Sequence, residues 1–88
     1  MNSLKTYPLA EDTKGLNMEL TRMEVVDESE DIRYTTYGVR VIDSADSILF
    51  SAPDISTQEK FVQRFVEICV QGQASVIHLP DLLEDYLV

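Results

Sequence analysis

An α+β domain is the fold class this sequence predicts, and three observations carry the prediction. Two stretches of period-two hydrophobicity flank an acidic turn, a third apolar stretch follows directly, and one amphipathic stretch of helical period comes after it. The expected architecture is a three-stranded antiparallel meander packed by one amphipathic helix, then a short strand and a short C-terminal helix (β-β-β-α-β-α). With 88 residues the sequence has material for a single small domain over residues 1–88 and a thin core.

In chain order, residues 1–15 carry the weakest signals. Pro8 interrupts the apolar group Leu4, Tyr7 and Leu9, and Glu11 to Gly15 reads as a loop. No element is assigned there, and the order of these residues is left open. From Leu16 the period is two: Leu16, Met18 and Leu20 alternate with polar residues, and the phase then changes to Met23 and Val25. Asp27-Glu28-Ser29-Glu30-Asp31 is an acidic turn. The next strand mirrors the first, with Ile32 and Tyr34, a phase change, then Tyr37, Val39 and Val41.

Opposed residues of an antiparallel pair share a face, so like should meet like. With Glu28 and Ser29 at the turn centre, Val25 is expected opposite Ile32, Met23 opposite Tyr34, Leu20 opposite Tyr37 and Met18 opposite Val39. The resulting hairpin buries one face at its base and the other at its tip. Asp43 to Asp46 supply turn chemistry, and Ser47 to Ala52 form the third strand, with Val41 expected opposite Ile48 and Val39 opposite Phe50.

Pro53-Asp54 ends that strand. Ser56-Thr57-Gln58-Glu59 matches a capping box, so a helix is expected from about Thr57 to Gln71, with Gly72 as a left-handed terminator. Phe61, Val62, Phe65, Ile68 and Cys69 form its apolar stripe, widened by Val66 and Val70. Ala74 to Leu79 reads as a fourth, short strand. Pro80 suits the first turn of a last helix, in which Leu82, Leu83, Tyr86 and Leu87 lie opposite Asp81, Glu84 and Asp85.

Charge limits the partners. Sixteen acidic against seven basic residues leave a net charge of −9, and no Lys or Arg follows Arg64. Nucleic-acid affinity comes from cations neutralising phosphates, so direct nucleic-acid binding is not expected. An acidic nucleic-acid mimic would have the same balance, but a solvated surface is the simpler account. No run of about 18 apolar residues exists to span a membrane, and the first residues lack the pattern of a signal peptide. The single cysteine excludes an intrachain disulfide, and a cytoplasmic location is expected.

No catalytic, cofactor or metal site emerges. Cys69 and His78 are the only evident nucleophile–base pair, and Cys69 sits on the apolar helix stripe, where a thiol is packing material. One Cys and one His cannot complete a zinc site. The acidic turn lacks the glycine and closing glutamate of a calcium loop. Gly15, Gly38 and Gly72 are isolated, so no phosphate-cradling loop exists. Gly38, inside a strand, suits bending or close backbone approach instead.

Three segments together carry a likeness: Tyr37-Gly38-Val39-Arg40-Val41-Ile42, Asp54-Ile55-Ser56-Thr57 before the amphipathic helix, and His78-Leu79-Pro80-Asp81-Leu82-Leu83-Glu84-Asp85-Tyr86-Leu87. Over roughly residues 16–88, with the acidic turn and the first fifteen residues outside the likeness, the chain resembles a family of small bacterial proteins of unknown function, mostly from Gram-positive anaerobes. The resemblance implies a bacterial cytosolic setting and transfers no functional residues.

What remains is surplus apolar surface. Met23, Val25, Ile32 and Tyr34 at the hairpin tip, with Leu82, Leu83, Tyr86 and Leu87 near the C-terminus, are the expected interaction residues. They point to a non-enzymatic protein-interaction or regulatory module that meets a protein partner or itself as a homodimer. The alternative is an enzyme or small-ligand binder with a site at a dimer cleft, for which His78, Asp81 and Tyr86 are the grouped polar candidates.

Overall fold

The alternation on either side of the acidic turn extends into two strands of eleven residues, β2 (Asn17–Asp27) and β3 (Ile32–Ile42). In this computed structural model, which describes residues 2–9, 15–72 and 75–88, they form the centre of a four-stranded antiparallel sheet. Strand β1 (Asn2–Pro8) lies outside β2, and β4 (Ile48–Ser56) outside β3, giving the order β1-β2-β3-β4. Helix α1 (Glu59–Gln71), a short 3-10 turn (Val76–His78) and helix α2 (Leu79–Leu87) complete the described chain.

This corrects the expected architecture in two places. Among the described residues the sheet has four strands, all before the helices, and no strand follows α1. The first strand is invisible to periodicity because six of its seven residues are exposed and an extra residue at Leu4 breaks its alternation against β2. Pro8 closes it at the sheet edge, where a missing N–H costs no ladder bond. The loop expected over Glu11 to Gly15 lies outside the described residues except for Gly15. The expected strand at Ala74–Leu79 is a 3-10 turn running into α2, Ala74 itself lying outside the described residues. Pro80 in the first turn of α2 explains this: His78 N–H bonds to the Ser75 carbonyl, so the chain is already coiling toward a helix that Pro80 can enter.

The hairpin register is also corrected. Met18 lies opposite Val41, Leu20 opposite Val39, Val25 opposite Tyr34 and Asp27 opposite Ile32, a slip of two residues from the expected pairing. A two-residue turn at Glu28-Ser29 would require a positive φ at Glu28, and in its type I′ form at Ser29 as well. The chain avoids this with a four-residue loop: Asp27 accepts from the backbone N–H and the hydroxyl of Ser29 (3.1 and 2.6 Å), and only Asp31 takes a positive φ, 54°. The second turn repeats the device. Asp43 accepts from the Ala45 and Ser47 N–H groups (both 2.9 Å) while Asp46 has φ 62°, so Val41 meets Phe50 and Val39 meets Ala52. Aspartate and asparagine tolerate both roles better than other non-glycine residues. Because the slip is even, every side chain keeps its face.

Met18, Leu20, Val39 and Val41 therefore point to one side, where they are buried against Val62, Phe65, Val66 and Cys69 of α1. Leu9, Leu16 and Leu79 close this core at its base, and Leu9 N–H bonds to the Leu16 carbonyl at 2.9 Å. Ile68 and Phe61, expected on the buried stripe, lie at its margin and are 48% and 36% exposed. The helix starts later than expected: Ser56 remains in β4, its hydroxyl accepting from Gln58 N–H (3.1 Å) with no reciprocal Glu59 bond. Gly72 ends it in a right-handed conformation, φ −81°.

Candidate interaction surface

Strand alternation puts Glu19, Thr21, Met23 and Val25 of β2, with Ile32, Tyr34, Thr36, Gly38 and Arg40 of β3, on the side away from α1. At the middle of this face β4 departs from its ladder. Tyr37 pairs with Ser56 and Val39 with Ala52, so Pro53, Asp54 and Ile55 stand opposite the single Gly38. A Cβ on Gly38 would run into the Ala52 carbonyl oxygen and the Pro53 backbone. The close approach expected of this glycine is real, and its consequence is an arch of β4 passing over the open face.

Asp54 pins the arch. Its carboxylate accepts from Thr36 Oγ1 at 2.5 Å and from the Tyr34 hydroxyl at 3.3 Å. The negative charge of Asp54 holds the Tyr34 phenol above its ordinary pKa, with desolvation and the hydrogen bond acting the same way. Thr36 and Thr21 are fully buried; Thr36 is satisfied by Asp54 and the Ser56 carbonyl, whereas Thr21 Oγ1 has no hydrogen-bond partner among the described residues. Nearer the base, Glu19 lies directly opposite Arg40, which donates from Nε at 2.6 Å; Glu19 is only 7% exposed.

The expected tip residues are brought together on this face. Met23 and Val25 are half-buried, Ile32 is 42% and Tyr34 37% exposed. Arg33 and Glu24 are diagonal neighbours on the other face, 4.0 Å apart and well solvated. The C-terminal candidates divide. Leu83 and Tyr86 pack on the core, Tyr86 lying at a tilt against Phe61 and Phe65 (ring centroids 4.7 and 5.2 Å) and donating its hydroxyl to the Phe61 carbonyl at 2.7 Å. Leu82 and Leu87 stay exposed. His78 and Asp81 are exposed at the start of α2, while the Tyr86 hydroxyl is engaged by the Phe61 carbonyl. Cys69 is buried, and burial pushes its thiol up to about 11. Among the described residues no group of three or more His, Cys, Asp or Glu is placed to hold a metal ion, and no helix is long and apolar enough to cross a membrane.

The polar layer of Glu19, Thr21, Thr36, Arg40 and Asp54 escaped the sequence reading, although one signal for it was available. Only the observed register sets Glu19 against Arg40, and that buried charge pair favours it over the pairing expected from apolar matches.

The geometry defines a small α+β protein with a helix-backed face and an open face crossed by a pinned arch. The chain belongs to a family of unknown function (DUF6514), whose model matches residues 2–88. The match takes in β1 and the acidic turn, beyond the segment that the sequence likeness covered. No curated protein and no solved structure matches the chain.

Proposed function

We propose that this protein is a non-enzymatic interaction module that self-associates through the open face of its hairpin tip. The observation that supports this reading is the clustering of Met23, Val25, Ile32 and Tyr34 on the side of the sheet opposite α1, with Ile32 and Tyr34 substantially exposed. A second copy is a fitting occupant because a two-fold interface covers the same patch on both partners at once. The bacterial cytoplasmic setting carried by the sequence likeness belongs to the same proposal.

Charge sets the conditions. Two copies bring −18 together, so association tightens as salt screens the repulsion. Sedimentation at micromolar concentration is expected to give twice the mass of one chain, and Ile32→Asp or Tyr34→Glu to return it to one. A single-chain mass at high salt and high concentration refutes self-association.

A further inference from the structure

On the helix-bearing side, beyond α1, the strands leave a half-open cleft of about 300 Å³ lined by Asn2, Arg22, Glu24, Thr35 and Tyr37. All five are polar or amphipathic, and three strands contribute them. Arg22 lies opposite Tyr37, Glu24 opposite Thr35, and Asn2 opposite Arg22, so the register itself makes the side chains converge. The volume is at the lower end of the range for small-molecule sites.

Apart from Glu24, which Arg33 reaches at 4.0 Å, the polar side chains of this cleft have no side-chain partner among the described residues. Of the three arginines in the hairpin, Arg40 is held by Glu19 and Arg33 reaches Glu24, whereas Arg22 has no carboxylate within ion-pair distance among the described residues. None of Asn2, Arg22, Thr35 and Tyr37 makes a side-chain hydrogen bond with another described residue. Elsewhere on the sheet such groups pair with each other, as Asp54 does with Thr36 and Tyr34. Arg22 and Glu24 project from one strand face two residues apart, a separation of about 7 Å at their backbones. A guanidinium and a carboxylate so placed oppose a ligand that carries both charges, and amide and hydroxyl groups beside them can complete its hydrogen bonds.

We propose that this cleft binds a small zwitterion of the α-amino-acid type. Arg22 takes the ligand carboxylate in a bidentate pair, Glu24 takes the ammonium, and Asn2, Thr35 and Tyr37 bond the remaining polar atoms. A purely anionic ligand would meet Glu24 and the −9 field of the chain, and a purely cationic one would meet Arg22.

The test is a heteronuclear NMR titration of the full chain with each of the twenty α-amino acids, with acetate and methylamine as single-charge controls. At least one amino acid should shift the amides of Asn2, Arg22, Glu24, Thr35 and Tyr37, and neither control should do so comparably. Because Arg22 and Glu24 are exposed, Arg22→Gln and Glu24→Gln leave the fold intact, and each should weaken binding about 10-fold or more. No shift with any amino acid, equal shifts with acetate, or unchanged affinity in Arg22→Gln would each overturn the assignment. The readout does not depend on whether the chain self-associates, so it stands or falls apart from the interface proposal.

Discussion

Replacing Gly38 by alanine tests the arch of β4 with one methyl group. The new Cβ would overlap the Ala52 carbonyl oxygen and the Pro53 backbone, neither of which can rotate aside as a side-chain tip would. Strand β4 must lift, a strain of about 1–3 kcal/mol by the measure of overpacked cores. Lifting carries Asp54 away from Thr36, whose buried hydroxyl then loses its charged acceptor at a further cost of about 1–3 kcal/mol. Alanine's lower backbone entropy returns about 0.5–1 kcal/mol. The net loss is about 1–5 kcal/mol, against a total of roughly 4–13 kcal/mol for a domain of this length. Urea and thermal unfolding followed by circular dichroism measure it, and a loss near 3 kcal/mol corresponds to about 12–24 °C in Tm. A variant within about 0.5 kcal/mol of the parent would show that the arch does not rest on Gly38.

Three further outcomes follow from the buried residues. Thr21→Val removes an unpartnered hydroxyl while keeping its shape, and denaturant unfolding should show about 1 kcal/mol of added stability; a loss would mean the hydroxyl has a partner. Cys69→Ser should destabilise by about 1–3 kcal/mol, and the native thiol should react slowly with a soluble thiol reagent; rapid labelling of the folded chain would contradict its burial. Because burial raises the Cys69 thiol from its ordinary value of 9.0 to about 11, its contribution is fully present below pH 9 and is lost as pH rises through about 11; a parent whose alkaline stability loss equals that of Cys69→Ala would exclude this source.

Local and periodic features of the fold were legible in the amino-acid order alone. Period-two alternation placed β2 and β3, an apolar stretch after turn residues placed the first half of β4, and the 3.6-residue stripe placed α1, because which side chains can share a face depends on their spacing along one element. Pro80 marked the start of α2 for an equally local reason, its missing N–H. Tertiary structure decided the rest. Strand β1 has almost no buried side chains to write a pattern, and it exists because β2 offers a ladder to pair with. The register slipped by two residues because loop closure through Asp27 and Asp31 outweighed the best apolar matching, a choice between two pairings with identical faces. The arch over Gly38, the Asp54 latch and the polar cleft around Arg22 join residues from separate strands. Their placement follows from that register and from the bulge in β4, which no spacing within a single strand encodes.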